Sequence, residues 1–61
     1  MSLQVVANLL KEARRLLQAR QFDKAIATVD KGLELEPATA TKQQLLRVRD
    51  EAYKVAREGR F

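Results

Sequence analysis

The stretch FDKAIATVDKGLELEP, residues 22–37, reads as one complete helix with its own start and stop signals. Asp23 can cap the helix, and its charge favours the N-terminal end of the helix dipole. Pro37 cannot continue a helix and biases Glu36 away from helical geometry. The positions that recur between these signals at spacings of three and four are small or apolar: Ala25, Ile26, Val29, Gly32 and Leu33. We therefore predict a helix over residues 23–36.

Gly32 is the unusual member of this stripe, because glycine in a helix costs about 1 kcal/mol relative to alanine. The compensation we expect is close contact with a neighbouring helix, near the lower end of the usual interaxial distance of about 8–10 Å. Ala13 and Ala25 are small in the same way. The alternative is that Gly32 is merely tolerated on an exposed face.

Two further helices are predicted, one on each side of this one. Residues 3–20 carry an apolar stripe with a second apolar flank, as expected of a helix between two neighbours: Leu3, Val5, Val6, Leu9, Leu10, Ala13, Leu16 and Leu17. Residues 42–58 follow a Thr41–Gln44 pair with the form of a capping box, and Gly59 is placed to end that helix. The predicted fold class is all-α, with residues 1–61 forming one domain.

An internal repeat appears when the sequence is shifted by 39 positions, which lays the third helix over the first. The aligned pairs include Val6 with Leu45, Leu9 with Val48, Ala13 with Ala52, Leu16 with Val55, and Phe22 with Phe61. Shared periodicity between two amphipathic helices is the alternative explanation. The aligned turn and the phenylalanine that follows it favour a true repeat, of which the chain holds about one and a half units.

These residues resemble the tetratricopeptide repeat (TPR) family, with residues 6–39 covering one motif of about 34 residues. The resemblance implies an antiparallel helical hairpin followed by a third, capping helix, in a three-helix bundle. The positions to which it assigns helix packing are Ala13, Leu16, Phe22, Ala25, Gly32 and Pro37, with Ala52 and Val55 as their counterparts in the third helix. The chain departs from the family at Leu9, Glu12, Arg20 and Val29, where tryptophan, leucine, the turn glycine and an aromatic residue are usual.

A weaker resemblance is to the microtubule-interacting-and-trafficking (MIT) module, which is also a three-helix bundle. It rests on the DEAYKVA stretch of residues 50–56. The second helix of that module runs longer, whereas Pro37 ends this one early. The module remains an alternative arrangement of the same helices.

Composition excludes several classes of site. The chain has no cysteine and no histidine, which removes the commonest zinc ligands and any disulfide. Glu12 and Glu51 are expected to pair with arginine or lysine if they are partly buried, rather than to act as acids. We predict no enzymatic activity, no metal and no cofactor. The apolar runs are too short to span a bilayer, and a cytoplasmic location is the default expectation.

The TPR resemblance implies a concave ligand face lined by the first and third helices. Carried over by position, this face holds Leu10, Arg14, Leu17 and Gln18, together with Leu46, Arg49, Tyr53 and Arg57. Arginines around a tyrosine and leucines suit a peptide with acidic groups, because guanidinium binds carboxylate through two hydrogen bonds. A solvated basic face, with Tyr53 and the leucines in the core or in an interface, is the alternative.

Nucleic acid is a rival partner from another class, because the net charge is +4. Acidic residues are interspersed with the basic ones and few aromatic side chains are available for stacking, so we do not expect nucleic-acid binding.

An incomplete repeat leaves an apolar flank of the third helix uncovered. The predicted function is therefore a non-catalytic protein-interaction or assembly module, either self-associating or covered by a larger protein.

Overall fold

The computed structural model describes residues 3–58, which form three helices and no strand. Helix α1 spans Leu3–Gln18, α2 spans Phe22–Glu34 and α3 spans Thr39–Glu58. The molecule measures 42 × 18 × 14 Å, and every pair of helices is in contact. The all-α three-helix prediction is confirmed. None of the helices in the described part has both the length and the apolar character that a membrane span requires.

The turn between α1 and α2 is a Schellman motif that carries an arginine at its left-handed position. The Gln21 N–H donates to the Leu16 carbonyl at 2.9 Å, and the Arg20 N–H donates to the Leu17 carbonyl at 3.0 Å. Arg20 has φ 63°, in the region where glycine is the preferred residue. The turn therefore needs the backbone geometry of glycine while the sequence supplies an arginine.

Arg20→Gly is accordingly expected to stabilise the protein by about 1 kcal/mol, because it removes the steric cost of a left-handed residue with a Cβ atom. Urea unfolding should show a higher midpoint with an unchanged slope. Arg20→Ala is the matched control, since it removes the same charge but keeps the Cβ atom. Equal stabilisation by alanine and glycine would mean that the charge, rather than the backbone, carries the cost.

The start of α2 differs from the prediction in one respect. The N-cap is Gln21, which makes no side-chain capping hydrogen bond, and the helix begins at Phe22. Asp23 is therefore inside the first turn rather than at the cap, and its predicted capping role is wrong. Because the Schellman turn is only three residues long, it already brings Phe22 into helical geometry. The Asp23 carboxylate still lies at the N-terminal end of the helix dipole, where negative charge is favourable.

The chain leaves helical geometry before Pro37 as predicted, but α2 ends two residues earlier than the predicted residue 36. The helix ends at Glu34, and Glu36 has φ 51°, outside right-handed helical geometry. The Glu36 N–H donates to the Leu33 carbonyl at 3.1 Å, which is one of the two bonds of a Schellman motif. Pro37, the next residue, has no N–H and cannot supply the second.

Helix α3 begins three residues earlier than predicted, at Thr39. The Lys42 N–H donates to the Ala38 carbonyl at 2.8 Å, so the first helical bond starts directly after Pro37. Thr41 and Gln44 lie inside the helix, and the predicted capping box is wrong. The small residues of the connecting segment, alanine among them, are compatible with a helical turn, so this segment extends α3 rather than forming a loop. Gly59 and Phe61 lie outside the described residues.

The core is entirely apolar within residues 4–58, where no polar or charged side chain is buried. Its buried members come from all three helices: Val6, Leu10, Ala13, Leu16, Ala25, Val29, Leu45, Val48 and Ala52. Leu45 and Val29 are the largest side chains that are fully buried. The predicted packing residues Ala13, Leu16, Ala25, Gly32 and Ala52 are buried, whereas Phe22, Pro37 and Val55 are half-buried.

Gly32 lies where α2 meets both other helices. A Cβ atom built at this position would lie 3.1 Å from Leu45 Cδ1 of α3 and 3.8 Å from Leu9 Cβ of α1. The first distance is shorter than ordinary van der Waals contact. The predicted close contact at Gly32 is confirmed, and the alternative of an exposed glycine is wrong.

Candidate interaction surfaces

The first candidate surface is a stripe on the outer side of α3, here called the Tyr53 surface. Its four residues are Leu46, Arg49, Asp50 and Tyr53, which together line a surface concavity of about 590 Å³. Their spacing of three, four and seven places them on one face of the helix. Tyr53 is 52% exposed, and Val5 on α1 is the other large hydrophobic residue exposed in the described part of the chain.

Arg49 is held in place on this surface by an ion pair with α2. Its Nη1 donates to Asp30 Oδ1 at 2.9 Å, and both side chains remain partly exposed to solvent. An ion pair at such a position contributes little to stability, because water screens it. In the structure this contact directs the guanidinium of Arg49 towards α2. Asp50, the neighbouring residue, is exposed and has no ion-pair partner among the described residues.

The second candidate surface is a groove between the C-terminal half of α1 and α3, here called the α1–α3 groove, with a volume of about 280 Å³. Its half-buried apolar side chains are Leu17, Phe22 and Val55. The exposed polar side chains along it are Arg14, Gln18, Arg20 and Glu51. Arg14 also reaches across to α3, where its Nη2 lies 3.5 Å from Gln44 Oε1. This groove can accept an apolar group beside an anion.

The predicted concave face is divided between these two surfaces. Arg14, Leu17 and Gln18 line the α1–α3 groove, whereas Arg49 and Tyr53 belong to the Tyr53 surface. Leu10 is only 8% exposed and belongs to the core, so it cannot contact a ligand at the surface. Arg57 is exposed in the last turn of α3 and lines neither surface.

The division has a geometric cause. The α3 residues that line the groove with α1 are Glu51 and Val55. At 3.6 residues per turn, Tyr53 lies about 160° around the helix from each of them. Tyr53 therefore points away from α1. The repeat alignment makes α1 and α3 equivalent, but the predicted ligand residues of α1 and those of α3 do not lie on one common face.

Sequence reasoning missed four residues of the groove and one of the Tyr53 surface. These residues are Arg20, Phe22, Glu51, Val55 and Asp50. A signal for two of them was present, because Gln44, Glu51 and Val55 recur at spacings of seven and four and therefore share one face of α3. The positions of Arg20 and Phe22 depend on the Schellman geometry of the turn. The turn was predicted at this place, but without glycine at Arg20 its geometry was not.

Titratable groups on these helices are solvent-accessible. Arg15 donates to both carboxylate oxygens of Glu12, at 2.6 and 3.1 Å. This pair lowers the pKa of Glu12 and raises the pKa of Arg15 through the hydrogen bonds between them. The predicted pairing of Glu12 is confirmed, whereas Glu51 is exposed and has no ion-pair partner among the described residues. Within residues 3–58 no three acidic side chains come together in the manner of a metal site.

Comparisons with protein-family models, with curated proteins and with solved structures give no match for this chain.

Proposed function

We propose that the chain is a non-catalytic protein–protein interaction and assembly module, which associates with itself or is covered by adjoining parts of a larger protein. The observation that carries this proposal is the Tyr53 surface, where a half-exposed tyrosine lies beside Leu46, Arg49 and Asp50. Tyrosine and arginine are enriched among the residues that dominate binding energy at interfaces. The cytoplasm is the proposed compartment.

A tetratricopeptide-like helical repeat remains our proposal for the origin of this architecture. It is supported by burial at equivalent positions, since Val6 and Leu45 are both buried, as are Ala13 and Ala52. The left-handed backbone of Arg20, where the family carries glycine, also supports it. In such an array each unit buries its apolar flank against the next unit.

The proposal is tested by comparing Tyr53→Ala with Val5→Ala in light-scattering measurements of solution mass. Both residues are large, hydrophobic and about half exposed, at 52% and 46%. We expect the native chain to show a mass above that of the monomer as its concentration rises. Tyr53→Ala should lower the association constant at least about tenfold, because exposed aromatic anchors commonly contribute more than 1 kcal/mol to an interface.

Val5→Ala is the matched control and should leave association unchanged, because Val5 lies on α1 and does not line the Tyr53 surface. Neither substitution opens a cavity in the core, so circular dichroism should show the native helix content for both. Equal loss of association in the two variants would point to general hydrophobicity rather than to a specific surface. Unchanged association in Tyr53→Ala would contradict the assignment of the association surface to α3.

A second candidate function is a receptor for an acidic peptide, and the α1–α3 groove is the observation that favours it. An apolar side chain of the peptide would rest on Leu17, Phe22 and Val55, and a carboxylate would meet Arg14 or Arg20. Binding of this kind uses α1 and is independent of Tyr53. Tyr53→Ala therefore distinguishes the two functions, since it affects assembly and leaves the groove intact.

A further inference from the structure

We propose that Arg20 anchors an acidic peptide at the junction between the α1–α3 groove and a second concavity beyond the α1–α2 turn. This inference rests on the second candidate function, the peptide receptor, and names the residue that selects its ligand. The second concavity, here called the turn concavity, has a volume of about 440 Å³. It is lined by Arg20, Gln21, Phe22, Asp23, Lys24 and Ala56.

The two concavities share two of their lining residues. Arg20 and Phe22 line both, so the groove and the turn concavity meet at these side chains. Phe22 is half-buried and offers apolar surface to each of them. Leu17 and Val55 add to this surface in the groove, and Ala56 adds to it in the turn concavity. A peptide that crosses the junction would place one apolar side chain in each concavity and the residue between them beside Arg20.

The backbone of Arg20 is the reason to assign a role to its side chain. Its φ of 63° lies in the left-handed region, where a Cβ atom is disfavoured and glycine is preferred. Residues held in such conformations cluster at ligand-binding sites. At Glu36, the other left-handed position of a non-glycine residue in the described chain, the following proline already disfavours right-handed helical geometry. Arg20 precedes a glutamine, which imposes no such limit, so binding by the side chain accounts for an arginine at this position.

The charges around the junction favour an anionic partner. Arg20 is exposed and has no ion-pair partner among the described residues, so its guanidinium can donate two hydrogen bonds to a carboxylate of the ligand. Arg14 adds a cation to the groove and Lys24 adds one to the turn concavity. Each concavity also contains one carboxylate, from Glu51 and Asp23 respectively. Because the cations outnumber the carboxylates, the site is complementary to a segment with net negative charge.

The ligand that fits these features is an extended peptide in which glutamate or aspartate lies between two apolar residues. Its central carboxylate binds Arg20, and its apolar side chains rest on Phe22 from the two sides. Nucleic acid fits less well, because Phe22 is the only aromatic residue among those that line the two concavities, and single strands bind by stacking successive bases on aromatic rings.

A short blocked peptide in which single leucines alternate with pairs of glutamates is the probe. Its binding is followed by the amide chemical shifts of the isotope-labelled chain, and we expect the shifts to change at residues 14–24 and 51–56. Arg20→Gly and Arg20→Ala should each lower the affinity at least about tenfold, because each removes the charge-assisted hydrogen bonds. Only Arg20→Gly should raise the urea midpoint. Weaker binding by a more stable protein separates the role of the side chain from any damage to the fold.

Lys31→Ala is the matched control for charge. Lys31 is an exposed cation of α2 that lines neither concavity, so its substitution should leave the affinity unchanged. Two further probes test the chemistry of the ligand. One is the same peptide with lysine in place of glutamate, and the other is a short oligothymidylate; both should bind more weakly than the acidic peptide.

The results separate this inference from the function on which it rests. Loss of affinity in both Arg20 variants, with Lys31→Ala as native, supports the anchor. If the acidic peptide binds and the Arg20 variants retain native affinity, or if Lys31→Ala loses as much as they do, the anchor is overturned while the peptide receptor stands. If the native chain does not bind the acidic peptide, or binds the lysine peptide or the oligothymidylate more tightly, the anchor and the peptide receptor are both overturned. Assembly, which solution mass tests, is unaffected by that result.

Discussion

Leu45→Ala is expected to lower the free energy of unfolding by about 2–5 kcal/mol. Leu45 is fully buried, and its two terminal methyl groups lie against Gly32 of α2. Removing them loses the burial of the side chain and leaves a cavity at the point where all three helices meet. A chain of this size has a total stability of only about 3–9 kcal/mol, so the expected loss is a large fraction of the total. Urea unfolding followed by circular dichroism measures the loss.

Leu46→Ala is the matched control, because it removes the same atoms from the next residue of the same helix. Leu46 is only half-buried and lies on the Tyr53 surface. Its substitution should cost roughly 1 kcal/mol or less in the monomer, since fewer contacts are lost. The comparison is made at low protein concentration so that association does not contribute. Equal losses for the two variants would contradict the place assigned to Leu45 at the centre of the core.

Gly32→Leu should destabilise the protein by about 1–3 kcal/mol or more, in spite of the higher helix propensity of leucine. The first added atom already lies 3.1 Å from Leu45 Cδ1 and 3.4 Å from Leu45 Cδ2, and a leucine adds three further carbons beyond it. The helices must separate or Leu45 must leave its rotamer. Thermal and urea unfolding both report this loss.

Gly32→Ala is the control for the propensity term, which favours alanine by about 1 kcal/mol. A single Cβ requires Leu45 to move by a few tenths of an ångström, so the gain and the crowding should nearly cancel. Combining Gly32→Leu with Leu45→Ala gives a second check, because the leucine then fills space that the alanine vacates. The double variant should be more stable than the sum of the single losses predicts. Strict additivity would show that the two residues are not in contact.

The sequence was a good guide wherever one residue type has one physical consequence. Pro37 has no N–H and cannot continue α2, and the helix ends at Glu34, within three residues of it. The helix-propensity cost of Gly32 predicted close contact with another helix, and Leu45 of α3 makes that contact. The apolar periodicity correctly predicted Ala13, Val29 and Ala52 as buried, whereas Val5, from the predicted apolar flank of α1, is 46% exposed.

The sequence was a poor guide where the outcome depends on competing local choices or on how helices are rotated. Thr41 and Gln44 have the form of a capping box, yet the helix had already begun at Thr39. The turn at Arg20 was expected from the family resemblance, but its left-handed backbone was not, because an arginine rarely takes that conformation. The predicted ligand face is not a single surface, because Tyr53 and Val55 lie on opposite sides of α3. Rotation of α3 about its axis is set by packing against α2, which a repeat alignment does not describe.

The measurement that tests the central claim most directly is thermal unfolding of the native chain at concentrations from about 10 µM to about 1 mM, with solution mass recorded at each point. If the Tyr53 surface is completed by a second copy, the mass should approach that of a dimer and the melting temperature should rise by several degrees across this range. A monomeric mass with a melting temperature independent of concentration would contradict self-assembly through α3.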